Sequence, residues 1–468
     1  MKIIIVGDGK MGFALSQRLS DEGHDIVIID NNPAVLRLSS NTQDVGCICG
    51  NGVDSDVQKE AGVPSADLLI AVTSQDEINI ICCLIAKKLG AKHTIARVRS
   101  PEYGKTLLFM REELGLSLTV NPELAAAAEI SRVLRFPSAM RVDFFAKGKV
   151  EMVEFKVPGG SPLTGLALRD LPGTLRVRVL VCAVQRDGQA FIPSGDFVLR
   201  TNDQVSITGT PPDISRFFKS CGLLTQKSRS VMIVGGGKTS YYLSGMLSEM
   251  GMQVKVLEAN ANRCAELSEA LPKVMVINGD GSDREILQEE GIDETDALVA
   301  LTGLDEENVV ISMYALSRKV GKVITKINHI SFGEILEKAG IDCVITPHRI
   351  AANRILRYVR GMQASLGSRI ESLYRIINDQ AEALEFRAQK EFRGIGIPLK
   401  DLKLKKELLV ACILRDNKLI FPGGGDCIYE RDSVIIITTR TGLDDLDDIL
   451  QPGALSAGGV EKKVERTP

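Results

Sequence analysis

The chain carries the same sequence pattern twice, and this duplication restricts the possible folds more than any other feature. The opening segment MKIIIVGDGKMGFALSQRLSDEGHDIVIID is repeated near the middle of the chain as SVMIVGGGKTSYYLSGMLSEMGMQVKVLE. Gly7 corresponds to Gly235, and Asp30 corresponds to Glu258 at the same offset. Further matching segments follow in the same order in both halves. Because repeats of this length mark duplicated structural units, we expect two copies of one pair of domains.

The first part of each half alternates apolar, strand-length runs with helical segments. Ile3–Val6 and Val231–Val234 each precede a glycine-rich turn, and Leu68–Thr73 and Ala297–Thr302 are later runs of the same kind. This alternation predicts an α/β fold with a parallel, doubly wound sheet and helices on both faces, as in Rossmann-like domains. Ligands of such sheets bind at the carboxyl ends of the strands.

The second part of each half has a different pattern. Residues 177–209 alternate apolar and polar side chains around a predicted turn at Arg186-Asp187-Gly188, and residues 408–439 repeat this alternation. These segments predict small α+β domains that are rich in strands. The sequence therefore predicts a tandem array of Rossmann-like domains at residues 1–122 and 229–347, and small α+β domains at residues 140–221 and 370–450.

The composition of the 468 residues is that of an ordinary soluble protein, with 44% hydrophobic and 25% charged residues. The net charge of −3 argues against a nucleic-acid partner, because nucleic-acid-binding proteins usually carry an excess of basic residues. No run approaches the ~20 apolar residues that a membrane-spanning helix needs. No secretory signal is recognisable before the first predicted strand. We therefore expect a cytoplasmic protein with reduced cysteines.

The cysteines and histidines give only weak signals for metal or redox chemistry. Neither Cys47/Cys49 nor Cys82/Cys83 has the spacing of a zinc site, and we interpret both pairs as buried structural cysteines. We expect His348, in the first turn of a helix, at the protein surface. The sequence also lacks the motifs of nucleophilic and metal-dependent catalysis.

The glycine-rich turn of the first half has the spacing GxGxxG. It follows a predicted strand, opens a predicted helix, and is followed by Asp30 at the end of the next strand. The glycines allow a tight turn and let the backbone approach a pyrophosphate at the helix N-terminus, while Asp30 is placed to accept hydrogen bonds from both hydroxyls of a ribose. Because a carboxylate repels a 2′-phosphate, the pattern favours NAD(H) over NADP(H). The predicted binding residues of this turn are Gly7, Asp8, Gly9, Lys10, Met11 and Gly12.

In the second half, the corresponding turn has lost its third glycine, which is replaced by Ser240. Glu258 retains the acid at the end of the next strand, whereas Tyr241 and Tyr242 are bulky enough to crowd the turn. Three possibilities stay open: dinucleotide binding, an empty fold that is retained, or binding of another adenine nucleotide. The predicted binding residues of this turn are Gly235, Gly236, Gly237, Lys238 and Thr239.

Other candidate binding residues lie at the ends of later strands. Their place at the carboxyl edge of the sheet would bring them to the same ligand as the glycine-rich turn. Two of them are cations, Arg97 and Lys326, which either meet a phosphate group or form surface salt bridges. The remaining candidates are Asn51, Gly52, Thr73 and Ser74 in the first half, and Asp280, Gly281 and Thr302 in the second.

These residues resemble the RCK domain family, which is also called KTN. Gly7–Gly12, Asp30, Thr73-Ser74 and Arg97 are similar to the nucleotide-binding domain of this family, and the strand-rich segment after Asn121-Pro122 resembles its C-terminal domain. Two tandem copies resemble the peripheral subunits of Trk-type potassium uptake systems. The resemblance implies a cytoplasmic protein that binds NAD(H), often also ATP or ADP, and forms a homo-oligomeric ring. It also implies a membrane-embedded, TrkH-like partner that translocates potassium and holds the protein at the inner face of the membrane.

The resemblance implies a regulatory subunit and not an enzyme. A gate needs only a ligand that binds its two conformations with different affinities. An NAD-dependent oxidoreductase is an alternative that rests on Asp30 and the GxGxxG pattern alone. A second alternative is an RCK-type regulator of another ion channel or antiporter.

Overall fold

A computed structural model of the chain describes residues 1–136, 138–145, 150–175, 177–223, 228–328, 336, 338–341, 343–364, 370–377, 380–416, 418–440, 442–443 and 445–451. The chain divides into two units, and each unit contains parts of both halves. The first unit comprises Met1–Pro137 and Gln226–Tyr358, and the second comprises Ser138–Thr225 and Val359–Pro468. Within the described ranges, no helix has both the length and the apolar character needed to cross a membrane.

The first half begins with a six-stranded parallel sheet. Its strands are β1 (Lys2–Val6), β2 (Asp25–Asp30), β3 (Gly46–Cys49), β4 (Leu68–Ala71), β5 (His93–Arg97) and β6 (Leu118–Val120). Its helices are α1 (Lys10–Asp21), α2 (Pro33–Thr42), α3 (Ser55–Glu60), α4 (Asp76–Leu89), α5 (Pro101–Met110) and α6 (Pro122–Arg135). The strand order is β3-β2-β1-β4-β5-β6. Because the order reverses between β1 and β4, a ligand is expected at the carboxyl ends of these two strands.

The first half continues with a five-stranded antiparallel sheet. Its strands are β7 (Ala139–Phe145), β8 (Val150–Lys156), β9 (Leu180–Arg186), β10 (Gln189–Phe191) and β11 (Gln204–Gly209), and its helices are α7 (Leu171–Leu175) and α8 (Pro211–Ser220). The strand order is β10-β9-β11-β8-β7. Asp187 and Gly188 have φ angles of 50° and 79° between the paired residues Arg186 and Gln189. These left-handed conformations are those of a two-residue hairpin turn, which confirms the turn predicted here.

The second half repeats this architecture. Its parallel sheet contains β12 (Ser230–Val234), β13 (Gln253–Glu258), β14 (Met275–Asn278), β15 (Ala297–Ala300), β16 (Lys322–Lys326) and β17 (Val344–Ile345), with helices α9 (Lys238–Glu249), α10 (Ala261–Ala270), α11 (Arg284–Glu289), α12 (Asp305–Ser317) and α13 (Pro347–Ala364). Its antiparallel sheet contains β18 (Ile370–Ile376), β19 (Ala381–Arg387), β20 (Leu408–Arg415), β21 (Lys418–Ile420) and β22 (Ser433–Thr438). The strand orders, β14-β13-β12-β15-β16-β17 and β18-β19-β22-β20-β21, confirm the predicted fold class.

In the first unit, helix α6 packs against the second half of the chain. Its buried residues recur at helical spacing and form one apolar stripe. Asn121 caps the helix by accepting a hydrogen bond from the backbone N–H of Leu124 at 2.8 Å, so the stripe begins at a fixed position. The stripe (Ala126, Ala127, Ile130, Val133 and Leu134) shares a core with Val231 and Ile233 of β12 and with Leu243 and Leu247 of α9.

Helix α13 makes the reciprocal contact from the second half to the first. Arg18 of α1 donates a hydrogen bond to the side-chain oxygen of Asn353 at 2.5 Å. The ring of His93 in β5 meets the ring of Tyr358 edge-on, with 6.5 Å between the ring centres. Each parallel domain therefore receives the helix that follows the last strand of the other, and the two domains form one unit.

In the second unit, the two antiparallel sheets share a hydrophobic core. Phe145, Met152 and Cys182 of the first half pack in one cluster with Ile376, Cys412 and Ile435 of the second. Both faces of β8 and β19 are buried over six consecutive residues, because each strand lies between this shared core and the rest of its own domain. Glu154 of β8 accepts a hydrogen bond from the backbone N–H of Ile377 at 3.1 Å, which adds a polar link between the halves.

Each antiparallel domain contains the same ion pair. Arg186 binds Asp203 through two hydrogen bonds of 2.8 and 2.7 Å, and Arg415 binds Asp432 through bonds of 3.0 and 2.8 Å. Both aspartates are 1% exposed. Asp203 also accepts the backbone N–H of Arg200 at 2.8 Å, so its carboxylate fixes a loop and a strand together.

Replacing Asp203 with alanine should lower the free energy of unfolding by about 3 kcal/mol, because it leaves a largely buried guanidinium without its partner. Urea denaturation measures this loss. Asp196→Ala is the control, since the Arg169–Asp196 pair is exposed on both sides and such pairs contribute about 0–1 kcal/mol. Equal losses in the two variants would contradict the role given to the buried pair.

Candidate functional site

The first glycine-rich turn has the geometry that its spacing predicts. Gly7 has a φ of 99°, and a side chain at Gly12 would place its Cβ only 1.9 Å from the carbonyl oxygen of Gly7. Gly9 faces open space, with no neighbouring atom within 4 Å of the position of a Cβ. No side chain caps the N-terminus of α1 at Gly9, so its first N–H groups remain available to an anion.

Asp30 organises this turn at the end of β2. One carboxylate oxygen accepts the backbone N–H of Asp8 at 2.7 Å, and the other accepts that of Asn32 at 2.8 Å. The side chain of Asp8 points away from this edge and accepts a hydrogen bond from the Ser39 hydroxyl at 2.7 Å. Burial raises the pKa of Asp8 and the charge of Asp30 raises it further, while the bond from Ser39 opposes both effects. Asp8 is therefore part of the wall behind the turn.

Asn79 is a positioning residue that the sequence did not reveal. Its side-chain oxygen accepts the N–H and the hydroxyl of Thr73, both at 2.8 Å, and its side-chain nitrogen donates to the carbonyl oxygen of Arg97 at 2.9 Å. The second half repeats these backbone contacts with Asn308, Thr302 and Lys326. The signal was present as Asp-Glu-x-Asn at matching positions of both halves.

The carboxyl ends of the two parallel sheets border one continuous cavity of about 1050 Å³ in the first unit. Of the predicted binding residues, its lining contains Gly7, Gly9, Lys10, Met11, Asp30, Asn51, Gly52, Thr73, Ser74 and Arg97 from the first half, and Gly237, Lys238, Thr239 and Lys326 from the second. The others lie outside this lining: Asp8, Gly12, Gly235, Gly236, Glu258, Asp280, Gly281 and Thr302. The structure thus brings two sets of predicted residues into one space.

Cations dominate the charge of this cavity. Its lining contains Lys10, Arg97, Arg99, Lys238 and Lys326, against the carboxylates of Asp30 and Glu123. Burial lowers the pKa of Arg97, whose guanidinium donates to the carbonyl oxygen of Thr73. Burial also lowers the pKa of Lys326, although Asp305 and Glu123 oppose this shift. A cavity of this size and charge suits an anionic ligand with several phosphate oxygens.

The N-termini of α6 and α13, the two helices that cross between the halves, also border the cavity. Glu123 and His348 occupy the second positions of α6 and α13, and both belong to the lining. Arg99 donates to the carbonyl oxygen of Ser74 at 3.3 Å and contacts the Glu123 carboxylate at 3.4 Å. His348, which we expected at the protein surface, is half-buried and lines the cavity, because α13 crosses to the first half and carries its first turn there.

The second glycine-rich turn has Ser240 in place of the third glycine of the pattern, Gly12. The hydroxyl of Ser240 donates a hydrogen bond to the carbonyl oxygen of Gly235, where the first turn has only the hydrogen of Gly12. The prediction that the tyrosines crowd this site is wrong. The Tyr242 hydroxyl donates a hydrogen bond to the carbonyl oxygen of Arg99 at 3.0 Å and accepts one from the Asn121 side chain at 3.0 Å. Tyr241 packs against the core that α6 shares with β12 and α9.

The cysteines divide into buried and accessible residues. Cys82 and Cys83 are fully buried, and burial raises the pKa of Cys82 to about 12. Cys47 is half-buried and Cys49 is exposed on the edge strand β3, so the expectation that this pair is buried is wrong. The described residues contain no group of three or more histidine, cysteine or acidic side chains arranged to bind a metal ion.

Comparisons with known proteins give consistent matches over nearly the whole chain. The family model of the TrkA-N domain matches residues 3–122 and 231–347, and that of the TrkA-C domain matches residues 152–222 and 385–451. A Trk system potassium uptake protein TrkA homolog from Archaeoglobus fulgidus is 33% identical over 453 residues, which cover 96% of this chain and 100% of that protein. The Trk system potassium uptake protein TrkA of Vibrio alginolyticus is 32% identical and covers 97% of this chain and 99% of its own.

Solved structures share the fold at lower identity. The crystal structure of the GsuK RCK domain is 18% identical, with a TM-score of 0.62 over 93% of this chain and 92% of that chain. The GsuK channel bound to NAD is 17% identical, with a TM-score of 0.61 over 93% of this chain and 76% of that chain.

Asn79→Ala should lower the free energy of unfolding by about 2 kcal/mol, because it removes the buried side chain that pairs with the partly buried backbone N–H of Thr73. The thermal unfolding midpoint and urea titration both report this effect. Gln75→Ala is the matched control on the same turn, since Gln75 is exposed. A midpoint for Asn79→Ala that equals that of the control would show that Asn79 does not anchor the turn.

Proposed function

The chain belongs to the TrkA family, and we propose that it is the nucleotide-sensing regulatory subunit of a Trk-type potassium uptake system. The observation that carries this proposal is the cationic cavity to which both halves contribute binding groups. A ligand in such a cavity contacts both halves at once, so its binding free energy depends on their relative arrangement. A difference in affinity between two arrangements is what regulation by a ligand requires.

The first half supplies the groups that recognise NAD(H). Asp30 lies in the cavity lining, where its carboxylate can accept hydrogen bonds from ribose hydroxyls and disfavours a 2′-phosphate. The uncapped N-terminus of α1 at Gly9 and the ammonium group of Lys10 favour a pyrophosphate. A nicotinamide nucleotide in this site serves as a ligand to be sensed, and the protein is proposed to act without catalysing a reaction.

The second half supplies charge to the same ligand. Helix α9 begins at Lys238 after its N-cap residue Gly237, it has no side-chain cap, like α1, and both residues line the cavity. The ammonium groups of Lys238 and Lys326 add to the cations of the first half, so that the cavity holds more positive charge than one pyrophosphate needs. ATP and ADP, which carry their phosphates at one end, are therefore proposed as further ligands of the cavity.

The protein is proposed to act on a membrane-embedded, TrkH-like subunit that translocates potassium, and to lie in the cytoplasm at the inner face of the membrane through this partner. The similarity to Trk system potassium uptake proteins over nearly their whole length supports this placement.

Matching apolar positions on two helices support self-association into a ring. Ile81 and Leu84 of α4 are 43% and 37% exposed, and their counterparts Val310 and Met313 of α12 are 65% and 49% exposed. Exposed apolar groups on one helix face favour association. Two similar faces on one chain allow each chain to contact two neighbours, which is the arrangement of a closed ring.

Asp30→Ala should weaken NADH binding by roughly tenfold or more, because hydrogen bonds between a ribose and a charged carboxylate contribute about 1.5–3 kcal/mol each. Calorimetric titration measures the dissociation constant. Glu258→Ala is the matched variant in the second half and should bind NADH less than twofold (roughly 0.4 kcal/mol) more weakly than the unchanged protein. Equal losses in the two variants would refute this ranking of the two halves, and NADPH should bind more weakly than NADH to the unchanged protein.

Deleting the protein from its cell should reduce potassium uptake, and the protein should co-purify with membranes only when the potassium-translocating subunit is present. Uptake of a potassium analogue such as rubidium and membrane fractionation measure the two effects. The proposed function would be refuted if the protein stays off the membrane in cells with and without the potassium-translocating subunit, and if its deletion leaves potassium uptake unchanged.

The double substitution Val310→Lys and Met313→Lys should reduce the assembly to smaller species, because two buried ammonium groups oppose contact at that face. Light scattering coupled to size-exclusion chromatography gives the mass. Met275→Lys on the edge strand β14 is the control, since Met275 is a 57% exposed apolar residue on another element. A mass that is unchanged by the double substitution would exclude α12 from the contact.

A further inference from the structure

We infer that the nucleotide pocket of the second half is closed by its own side chain, Arg263, so that each chain binds one dinucleotide and not two. The inference rests on the proposed function, because it concerns the same type of ligand. It assigns different roles to the two halves. The first half holds the ribose of the ligand, and the second half offers only a cationic wall to its phosphates.

The first observation is the asymmetric extent of the shared cavity. On the side of the first half it reaches Asp30 and continues to Gly50, Asn51 and Gly52. On the side of the second half it includes Gly237 and Lys238 but not Glu258, Asp280 or Gly281. The cavity therefore contains the complete ribose side of the first turn and only the phosphate side of the second.

The second observation explains why the cavity ends there. The Arg263 side chain, on the first turn of α10, donates from Nε to the carbonyl oxygen of Gly236 at 2.8 Å. Its terminal nitrogen contacts the Glu266 carboxylate at 2.7 Å, which holds the guanidinium in place. Gly236 is the middle residue of the turn, and Glu258 accepts its N–H at 2.6 Å. The guanidinium thus lies against the same turn residue whose N–H the carboxylate accepts, and we place it in the approach that a ribose would use.

The corresponding residues of the first half cannot close the pocket in this way. Val35 stands at the position of Arg263 and has no hydrogen-bonding group, and Leu38 stands at the position of Glu266. The packing behind the turn also differs, because Leu267 replaces Ser39 and would lie 2.7 Å from a Cβ at Gly236. Asp8 and Ser39 form a hydrogen-bonded pair in one half, whereas in the other half Leu267 fills the space that a side chain at Gly236 would need.

Calorimetric titration of NADH into the full chain tests the closure. The unchanged protein should bind one equivalent per chain, and Arg263→Val should bind two. The added equivalent should disappear in Arg263→Val/Glu258→Ala, which shows that it uses the second pocket. The reciprocal transfer Val35→Arg/Leu38→Glu places the arginine–glutamate pair in the first half and should weaken binding by roughly tenfold or more. Positions 35, 38 and 263 are at least partly exposed, so these variants are expected to fold.

Two equivalents in the unchanged protein, or one equivalent in Arg263→Val, would overturn the inference while leaving the proposed function intact. Absence of NADH binding in all of these proteins contradicts the proposed function and the inference that rests on it. The number of NADH equivalents bound per chain therefore distinguishes failure of the inference from failure of the proposed function.

Discussion

The packing of α6 against the second half is the contact on which the first unit depends. Ala126, Ala127 and Ile130 lie in the same core as the strands and the first helix of the second half. Because alanine side chains are short, α6 and α9 can approach closely. This contact, with its counterpart at α13, turns the carboxyl edges of two parallel sheets toward each other. The cavity is a consequence of that orientation, since neither sheet alone surrounds it.

Features that depend on short stretches of chain followed from the sequence. Apolar runs ending in glycine predicted β1 and β12, and Gly7 and Gly235 both have the left-handed φ of 99° that their turn requires. Asp30 lies at the end of β2, as its number of residues from the glycine-rich turn predicted. The hairpin turn at Asp187-Gly188 was predictable for the same reason, because its conformation is favoured by the two turn residues themselves.

Features that depend on distant segments did not follow from the sequence. His348 reaches the cavity only because α13 crosses to the other half, and no local pattern encodes that crossing. Asn79 recurs as Asn308 in a repeated Asp-Glu-x-Asn pattern, but its role appears only when Thr73 and Arg97 are seen on either side of it. Side-chain orientation did not follow from the sequence either, because the closure proposed for the second pocket depends on the direction of the Arg263 side chain, although this residue is close to Glu258 in the chain.

Covalent joining of the two copies has a consequence for how the protein can evolve. In a dimer of identical chains, every substitution appears on both sides of the symmetry axis, so a residue that improves one site must be tolerated in the other. Here Ala14 and Tyr242 occupy equivalent positions, yet only Tyr242 bridges Arg99 and Asn121. Such an unequal pair is inaccessible to a symmetric dimer of identical chains, whereas a chain that carries both copies can hold it.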